Sequence, residues 1–442
     1  MQELVKHVMV DFVRMSEFSQ QPFIIERGDG IRLYDVDGKA YIDGLSGVFV
    51  VGTGHNNPAI VNALRDQLEV LAFAPPLHST NPPALKLARL VLDQVPSHYS
   101  VVKFYSGGSE ATEGALKMAR QFHRQTGHPL KYKVISFYQG YHGGTLGALS
   151  ATGMANRRWV FEPLVPGFIH VLPPNLYRPP LGLAPEAWEE ACVRQFEEVI
   201  QGEHPDTVAA IILEPVLMSA GVLVPSPRFF QTLREICDRY NVLLIFDEII
   251  TGWGRLGEWF AAEAFGVWPD LLCVGKGMSA GYSPLAGVIV SDKVGQAFWG
   301  EPSDNVQFHA GHTYGGNPLS CAAGLANVAY MIEHRVVDNA REVGAYLGQQ
   351  LRGLAERFEC IGDVRGKGML WGVEFVQDRA SRASFPASAN FGKRVELAAR
   401  ARGLVIRGAP NFITFAPPLV CTREDIDQII GIVRDSIEYV LR

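Results

Sequence analysis

Apolar residues in this chain fall into two patterns. The first is the short, mostly apolar run, which recurs at 101–105, 132–137, 208–213, 242–246, 271–274 and 285–291. Runs of this length, rich in Val, Ile and Leu, read as strands buried on both faces, as in a parallel sheet. The second has a helical period. From Glu110 onward, Ala111, Ala115, Met118, Ala119 and Phe122 return every three or four residues and mark one face of a helix. The two patterns alternate, which predicts an α/β fold around a mostly parallel sheet flanked by helices. The direction of the strand at 285–291 is not readable from its sequence.

The flanking regions read differently. The first residues, MQELVKHVMVDFVRMSEF, are amphipathic and predict a helix docked on the body or on a second subunit. Asp37-Gly38 sits between two β-prone runs in 30–43 and predicts a hairpin. A helix follows to about residue 71, a loop stiffened by Pro75 and Pro76, and a helix from Pro83 to Val95. The proline-rich stretch 173–190 reads as a surface excursion. Beyond about residue 335, strands and helices alternate afresh. GMLWGVEFV, LVIR and NFITFA are predicted strands, a helix from Phe391 stops at Gly403, and the last helix opens on a capping box at Thr422 and Asp425. The chain thus divides into an N-terminal segment of helix and hairpin (1–60) that packs with a small α+β domain (333–442), and a large domain (61–332).

Composition narrows the class. A chain of 442 residues exceeds one ordinary core. Its 47% hydrophobic and 19% charged residues are those of a soluble globular protein. A net charge of −6 without a basic run gives no reason to expect nucleic acid. The apolar runs are strand-length, and the N-terminus lacks the continuous apolar core of a signal peptide, so the sequence predicts neither a membrane span nor export. The 6 cysteines form no CxxC pair and read as free thiols of a reducing cytoplasm. His309 and His312 have no third ligand nearby in sequence, so no metal site is expected.

The candidate chemistry lies at the ends of the apolar runs. One ends on Asp247-Glu248, another on Lys276 between Gly275 and Gly277, another on Glu214. Ligands of open α/β sheets bind outside the carboxyl ends of the strands. A strand followed by Ser106-Gly107-Gly108-Ser109 and a helix is a way to hold a phosphate on backbone N–H groups. It is neither GxGxxG nor a P-loop, which argues against a nucleotide. Tyr141, among small residues, suits the face of a planar cofactor. Pyridoxal 5'-phosphate (PLP) meets these features, with an aldehyde for the lysine and a pyridinium nitrogen for the aspartate.

DEIITGWGR followed by KGMSAGYSPLAG resembles the class III (ω-type) aminotransferases of PLP fold type I, and the likeness extends from about residue 31 to the last helix. The resemblance implies that Lys276 carries the Schiff base in a ping-pong transamination and that Asp247 pairs with the pyridine nitrogen. It implies that Gly108 and Ser109 cup the phosphate and that Tyr141 covers the ring with His142 beside it. Glu214 then lies near the ring, and Ile249, two residues along the strand from Asp247, packs its other face. HTYGGNP at 312–318 resembles the loop that crosses to a partner subunit, where Thr313 would touch the phosphate. That implies a homodimer with a composite site, and a tetramer is open. Leu217-Met218-Ser219, Ile250 and Gly144 depart from the ornithine and 4-aminobutyrate members. The acid that would pair with Arg407 and the extra arginine for a distal carboxylate are both missing, and what remains, one arginine (Arg407) and apolar surface, is similar to the amine/β-alanine/taurine–pyruvate branch, in which an aromatic at the position of Phe49 often lines the pocket. The expected substrates are a small amine donor and an oxo acid, pyruvate foremost. A PLP-dependent aminomutase, epimerase or decarboxylase on the same fold keeps every cofactor residue and stays open.

Overall fold

A computed structural model describes residues 3–442. Seven strands form its central sheet: β4 (Tyr99–Tyr105), β5 (Lys133–Phe137), β6 (Phe168–Val171), β7 (Val208–Leu213), β8 (Leu243–Asp247), β9 (Leu271–Val274) and β10 (Ala286–Ser291), in the order β4-β10-β9-β8-β7-β5-β6. Neighbours pair in parallel except β10, which is antiparallel to both β4 and β9. The expected mostly parallel sheet is therefore present. Its central strands β7, β8 and β9 are buried at every position, which is why their sequences show no alternation. Helices such as Gly108–Gln125, Pro185–Gly202 and Pro227–Arg239 cover the sheet.

Before this sheet stand β1 (Ile25–Asp29), β2 (Arg32–Asp35) and β3 (Ala40–Asp43); the Asp37-Gly38 hairpin joins β2 to β3, with Gly38 at φ 81. After it come β11 (Ile361–Lys367), β12 (Leu370–Phe375), β13 (Leu404–Val405), β14 (Arg407–Ala409) and β15 (Phe412–Phe415). The β1–β3 meander gains β13 as a parallel fourth strand, so the two ends of the chain share a sheet. The other four form an antiparallel sheet, β11-β12-β15-β14. The proline-rich excursion reaches this sheet: Arg178 Nε lies 2.6 Å from Glu374, whose other oxygen meets Arg365 at 2.7 Å. The final helix, Arg423–Leu441, opens on the expected capping box between Thr422 and Asp425.

Two local expectations are corrected, and one strand had none. The N-terminal helix is not continuous; the segment holds a 3-10 turn at Leu4–His7 and one turn of helix at Met15–Phe18. Met9 and Phe12 between them are 89% and 74% exposed, so the apolar face, of which Val5 is buried, is not received as a whole and does not hold a continuous helix together. LVIR is not one strand. It splits at Ile406, with β13 joining the N-terminal sheet and β14 the C-terminal one. β11, with two glycines and three charges in seven residues, lacks a period-2 signal and was not legible.

The helix Gly108–Gln125 lies against β4 through Gly114. A Cβ there would overlap the hydroxyl end of Tyr105, which is fully buried. Gly114→Ala gains about 1 kcal/mol of helix propensity. Overpacking against a buried ring costs about 1–3 kcal/mol. The variant should lower the melting temperature, and an unchanged or raised value would show that Tyr105 yields freely.

Candidate active site

The carboxyl ends of β4, β5, β7, β8 and β9 face one edge of the sheet, and the sequence-predicted residues gather there. After β4 the helix begins at Gly108, two residues earlier than its apolar period suggested. Glu110 is the reason: its carboxylate accepts the Ser106 N–H at 2.9 Å and closes the first turn from within. Gly107, the N-cap, has no side chain to offer, so the first N–H groups of an 18-residue helix face the site without a side-chain acceptor. That is an anion cradle. Ser109 Oγ accepts the Gly144 N–H at 3.0 Å, and Glu113 accepts from Thr145 Oγ1, Gly147 and Ala148, so the loop after β5 is tied onto the same helix.

That loop carries Tyr141 and His142. The Tyr141 N–H donates to Glu214 Oε1 at 2.8 Å, and its ring is half-buried. Burial holds its phenol above the ordinary value. His142 is buried; its N–H donates to Thr152 Oγ1 at 2.9 Å and its Nδ1 lies 2.8 Å from Asp247 Oδ2. Its Nε2 has no protein partner. Asp247 is 5% exposed, and its second oxygen accepts only the Ile249 N–H, at 3.2 Å. The adjacent Glu248 serves the fold instead. It is 0% exposed and accepts from Ala261, Ala262 and the Thr251 hydroxyl. Of two neighbouring carboxylates, the structure satisfies one inside the protein and leaves the other facing the site.

Ile249 is not on the strand, because β8 ends at Asp247. It lies in the following turn, and the alternation argument for its direction fails. The turn nevertheless sets it between Gly108 and Gly275, whose added Cβ atoms would come within 3.2 Å and 3.0 Å of it.

Lys276 opens a 3-10 turn after β9, at φ 39. Its flanking glycines have steric causes: a Cβ on Gly275 would meet Ile249 and Ala286, and one on Gly277 would press on Trp253 at 3.0 Å. No hydrogen bond or ion pair engages the Lys276 amine among the described residues. Burial lowers its pKa, opposed by the charges of Asp247 and Glu214 and reinforced by Arg407. Glu214 itself is pushed up to about 7, first by burial and then by Asp247, against the pull of His142. The arrangement is an unpartnered amine drawn toward its neutral form between two acids.

The outer residues are placed as follows. Arg407 opens β14, half-buried and in no ion pair among the described residues. Burial, followed by the charge of Arg157, lowers its pKa. Ser219 Oγ donates to the Gln139 carbonyl at 2.7 Å and leaves Arg407 without a fixed acid. Thr313 is exposed on a loop held to its own chain by His312, which lies 3.3 Å from Glu110. Phe49 does not line open space. It is 2% exposed, within the core, and Val48 beside it is the exposed residue. Tight backbone in this loop, with Ser46, Gly47 and Phe49 all at positive φ, turns the ring inward. Arg157, whose charge acts on Arg407, lies on a short helix after Gly153 that carries no motif legible in the sequence.

The site fits PLP by its own features: a helix terminus lacking a cap, a buried carboxylate with an oxygen to spare, and a buried amine without a partner. Among the described residues no cluster of His, Cys, Asp or Glu could hold a metal ion, no helix is long and apolar enough to cross a membrane, and all six cysteines are free.

Comparison with known proteins gives the same answer. The family model "Aminotransferase class-III" matches residues 15–437. A taurine–pyruvate aminotransferase of Bilophila wadsworthia is 35% identical over 421 residues, 93% of this chain and 91% of its own. An (S)-enantioselective omega-transaminase from Thermomicrobium roseum superposes with a TM-score of 0.95 at 37% identity, covering 100% of this chain and 98% of its own. The PLP-bound amine transaminase of an uncultivated Pseudomonas species gives a TM-score of 0.94 at 34% identity, with 98% of each chain covered. This chain belongs to the class III aminotransferases, PLP-dependent transaminases of fold type I.

Proposed function

We propose that the enzyme moves an amino group from an ω-amino acid or primary amine to pyruvate, working as a homodimer whose two sites are each completed by the partner. The observation that carries the reading is the Lys276 amine, unpaired among the described residues, with Asp247, Glu214 and Arg407 close enough for their charges to act on it. Bound PLP would supply an aldehyde for an amine and a ring that absorbs the electrons released at the substrate carbon. The residues do the rest. Lys276, kept toward its neutral form by burial, is the base that takes and returns the proton at its Nζ. Asp247, oriented by His142, would hold a cationic ring nitrogen on its other oxygen. Gly108, Ser109 and the helix N-terminus receive the phosphate. Tyr141 and Ile249 are the residues that would hold the cofactor ring between them. Arg407, without a resident acid, orients the carboxylate of the oxo acid by a paired, charge-assisted contact. Thr313 is exposed beside Tyr314 and Phe73, also exposed, which suits a hydroxyl offered to a partner's phosphate. The test is amine exchange from 1-phenylethylamine or β-alanine to pyruvate, with 2-oxoglutarate for comparison. Absence of exchange with any oxo acid would favour an isomerase or decarboxylase.

Arg407→Ala should raise the KM for pyruvate by about tenfold or more, since a hydrogen bond to a charged group contributes about 1.5–3 kcal/mol. An aldehyde acceptor of similar size should be nearly unaffected. Equal losses for both acceptors would show that Arg407 does not read the carboxylate.

Mixing Thr313→Ala with Lys276→Ala subunits places both defects in one site and leaves the other intact, so exchanged dimers should regain activity over Lys276→Ala alone. No recovery after confirmed exchange would mean that each chain builds its own site.

Glu214 gives a pH signature. Its folded pKa of about 7 exceeds the ordinary 4.5. Between these values the folded chain keeps a proton that the unfolded chain releases, so stability is lost as pH rises through that window, by at most about 3 kcal/mol. Glu214→Gln should flatten the fall in melting temperature of the apoprotein between them. An unchanged slope would assign the fall to other groups.

A further inference from the structure

The helix Gly108–Gln125 does more than present an anion cradle at its N-terminus. Along one side it carries Lys117, Gln121 and Gln125, each four residues after the last, and such spacing sets them in a row. All three donate to backbone carbonyls of the loop before Thr313. Lys117 Nζ reaches the Ala310 carbonyl at 3.3 Å, Gln121 Nε2 the Gln307 carbonyl at 2.9 Å, and Gln125 Nε2 the Ala297 carbonyl. The loop therefore runs back along the helix, from its C-terminal end toward the cradle. Residues 301–305 of the loop are exposed, and Phe308 anchors it edge-on to Phe298 at 5.4 Å.

Glu110 ends the row, and its two oxygens have different partners. Oε2 accepts the Ser106 N–H at 2.9 Å and shapes the cradle, while Oε1 lies 3.3 Å from His312 Nδ1. The His312 ring stands edge-on to that of Tyr105, the last residue of β4, with centroids 5.3 Å apart. The His312 carbonyl accepts the Gly315 N–H at 3.1 Å, and Asn81 Nδ2 donates to the Gly316 carbonyl at 2.8 Å. The turn that carries Thr313 is thus pinned on both sides, while Thr313 itself stays exposed. A group held in place before binding loses less freedom on binding, so a pinned turn offers its hydroxyl at lower entropic cost.

We propose that Glu110 and His312 are positioning residues that hold the Thr313 hydroxyl ready for a cofactor phosphate, so that one helix serves two phosphates; this rests on the reading that Thr313 completes the partner's site. The N-terminus of the helix receives the phosphate of its own chain. The loop splinted along the same helix is offered to the other chain. Glu110 touches both arms, the cradle through Ser106 and the loop through His312. A change at Glu110 acts on both sites, and a change at His312 acts on the partner's alone.

Titration of PLP into the full-length apoprotein, followed by quenching of tryptophan fluorescence, tests this without any amine exchange. His312→Ala should weaken PLP binding about tenfold. His312→Asn, whose amide nitrogen can take the place of Nδ1, should recover most of the loss. Pyridoxal, which lacks the phosphate, should bind wild type and His312→Ala within about twofold of each other, which a general loss of structure would not allow. Because His312 acts through Thr313, combining His312→Ala with Thr313→Ala should cost no more than the larger single loss. Additive losses, or equal losses for PLP and pyridoxal, would overturn the assignment.

Purified heterodimers of His312→Ala and Lys276→Ala chains separate this from the composite reading. Their one lysine-bearing site takes Thr313 from the chain whose His312 is intact. Its PLP affinity, read from the visible absorption of the lysine-bound cofactor, should return to within about twofold of wild type. If the loss stays with the His312→Ala chain, the sharing of one helix between two sites is overturned together with the composite reading. The non-additive loss would then still assign His312 to Thr313, within one chain.

Discussion

A carboxylate at the end of a fully buried strand is the constraint on which this structure depends. Asp247 closes β8, the middle of seven strands, where water is excluded and an ionised acid is costly unless its oxygens are engaged. His142 engages one oxygen and a single backbone N–H the other. That leaves capacity for one cationic donor at the sheet edge, and the surrounding loops are shaped by it. The Tyr141–His142 loop must come close enough to reach Asp247, so it is bound to Glu214 on one side and to Ser109 on the other. The Lys276 turn must bring an amine within range of both acids without giving it a permanent partner, so it is built between two glycines in crowded surroundings.

The parallel sheet makes this convergence possible. Six strands deliver their carboxyl ends to one edge, and the loops after five of them hold the candidate site residues on a scaffold buried in the sheet. The antiparallel β10 brings the chain back beside β4 without adding a residue to that edge. The C-terminal region contributes from outside. Ile406 passes the chain from one sheet to another, and Arg407 is the first residue after the crossing, placed toward the site by a change of strand partner.

The short apolar runs, the glycine loop and the charged strand ends were legible because each is a local conflict between residue type and surroundings. A lysine between glycines and an aspartate closing an apolar run are poor structural devices, so they announce chemistry in one dimension. The same holds for the Asp37-Gly38 turn and the Thr422–Asp425 cap, whose partners lie within a few residues. These features, with the α/β alternation, determined the fold class and the cofactor from the sequence alone.

Tertiary structure decided what depends on distant partners. Asp247 and Glu248 are adjacent and chemically alike, yet only the approach of residues 261 and 262 shows that Glu248 is satisfied inside the protein. Phe49 is apolar wherever it lies, and positive backbone angles in its loop sent it into the core. The N-terminal segment has a helical period, but a period makes a helix only where a surface receives its apolar face, and Met9 and Phe12 stay largely exposed. Local periodicity and turn chemistry are written in neighbouring residues; burial, charge partners and the aim of a side chain are set by residues far along the chain, and they exist only once it has folded.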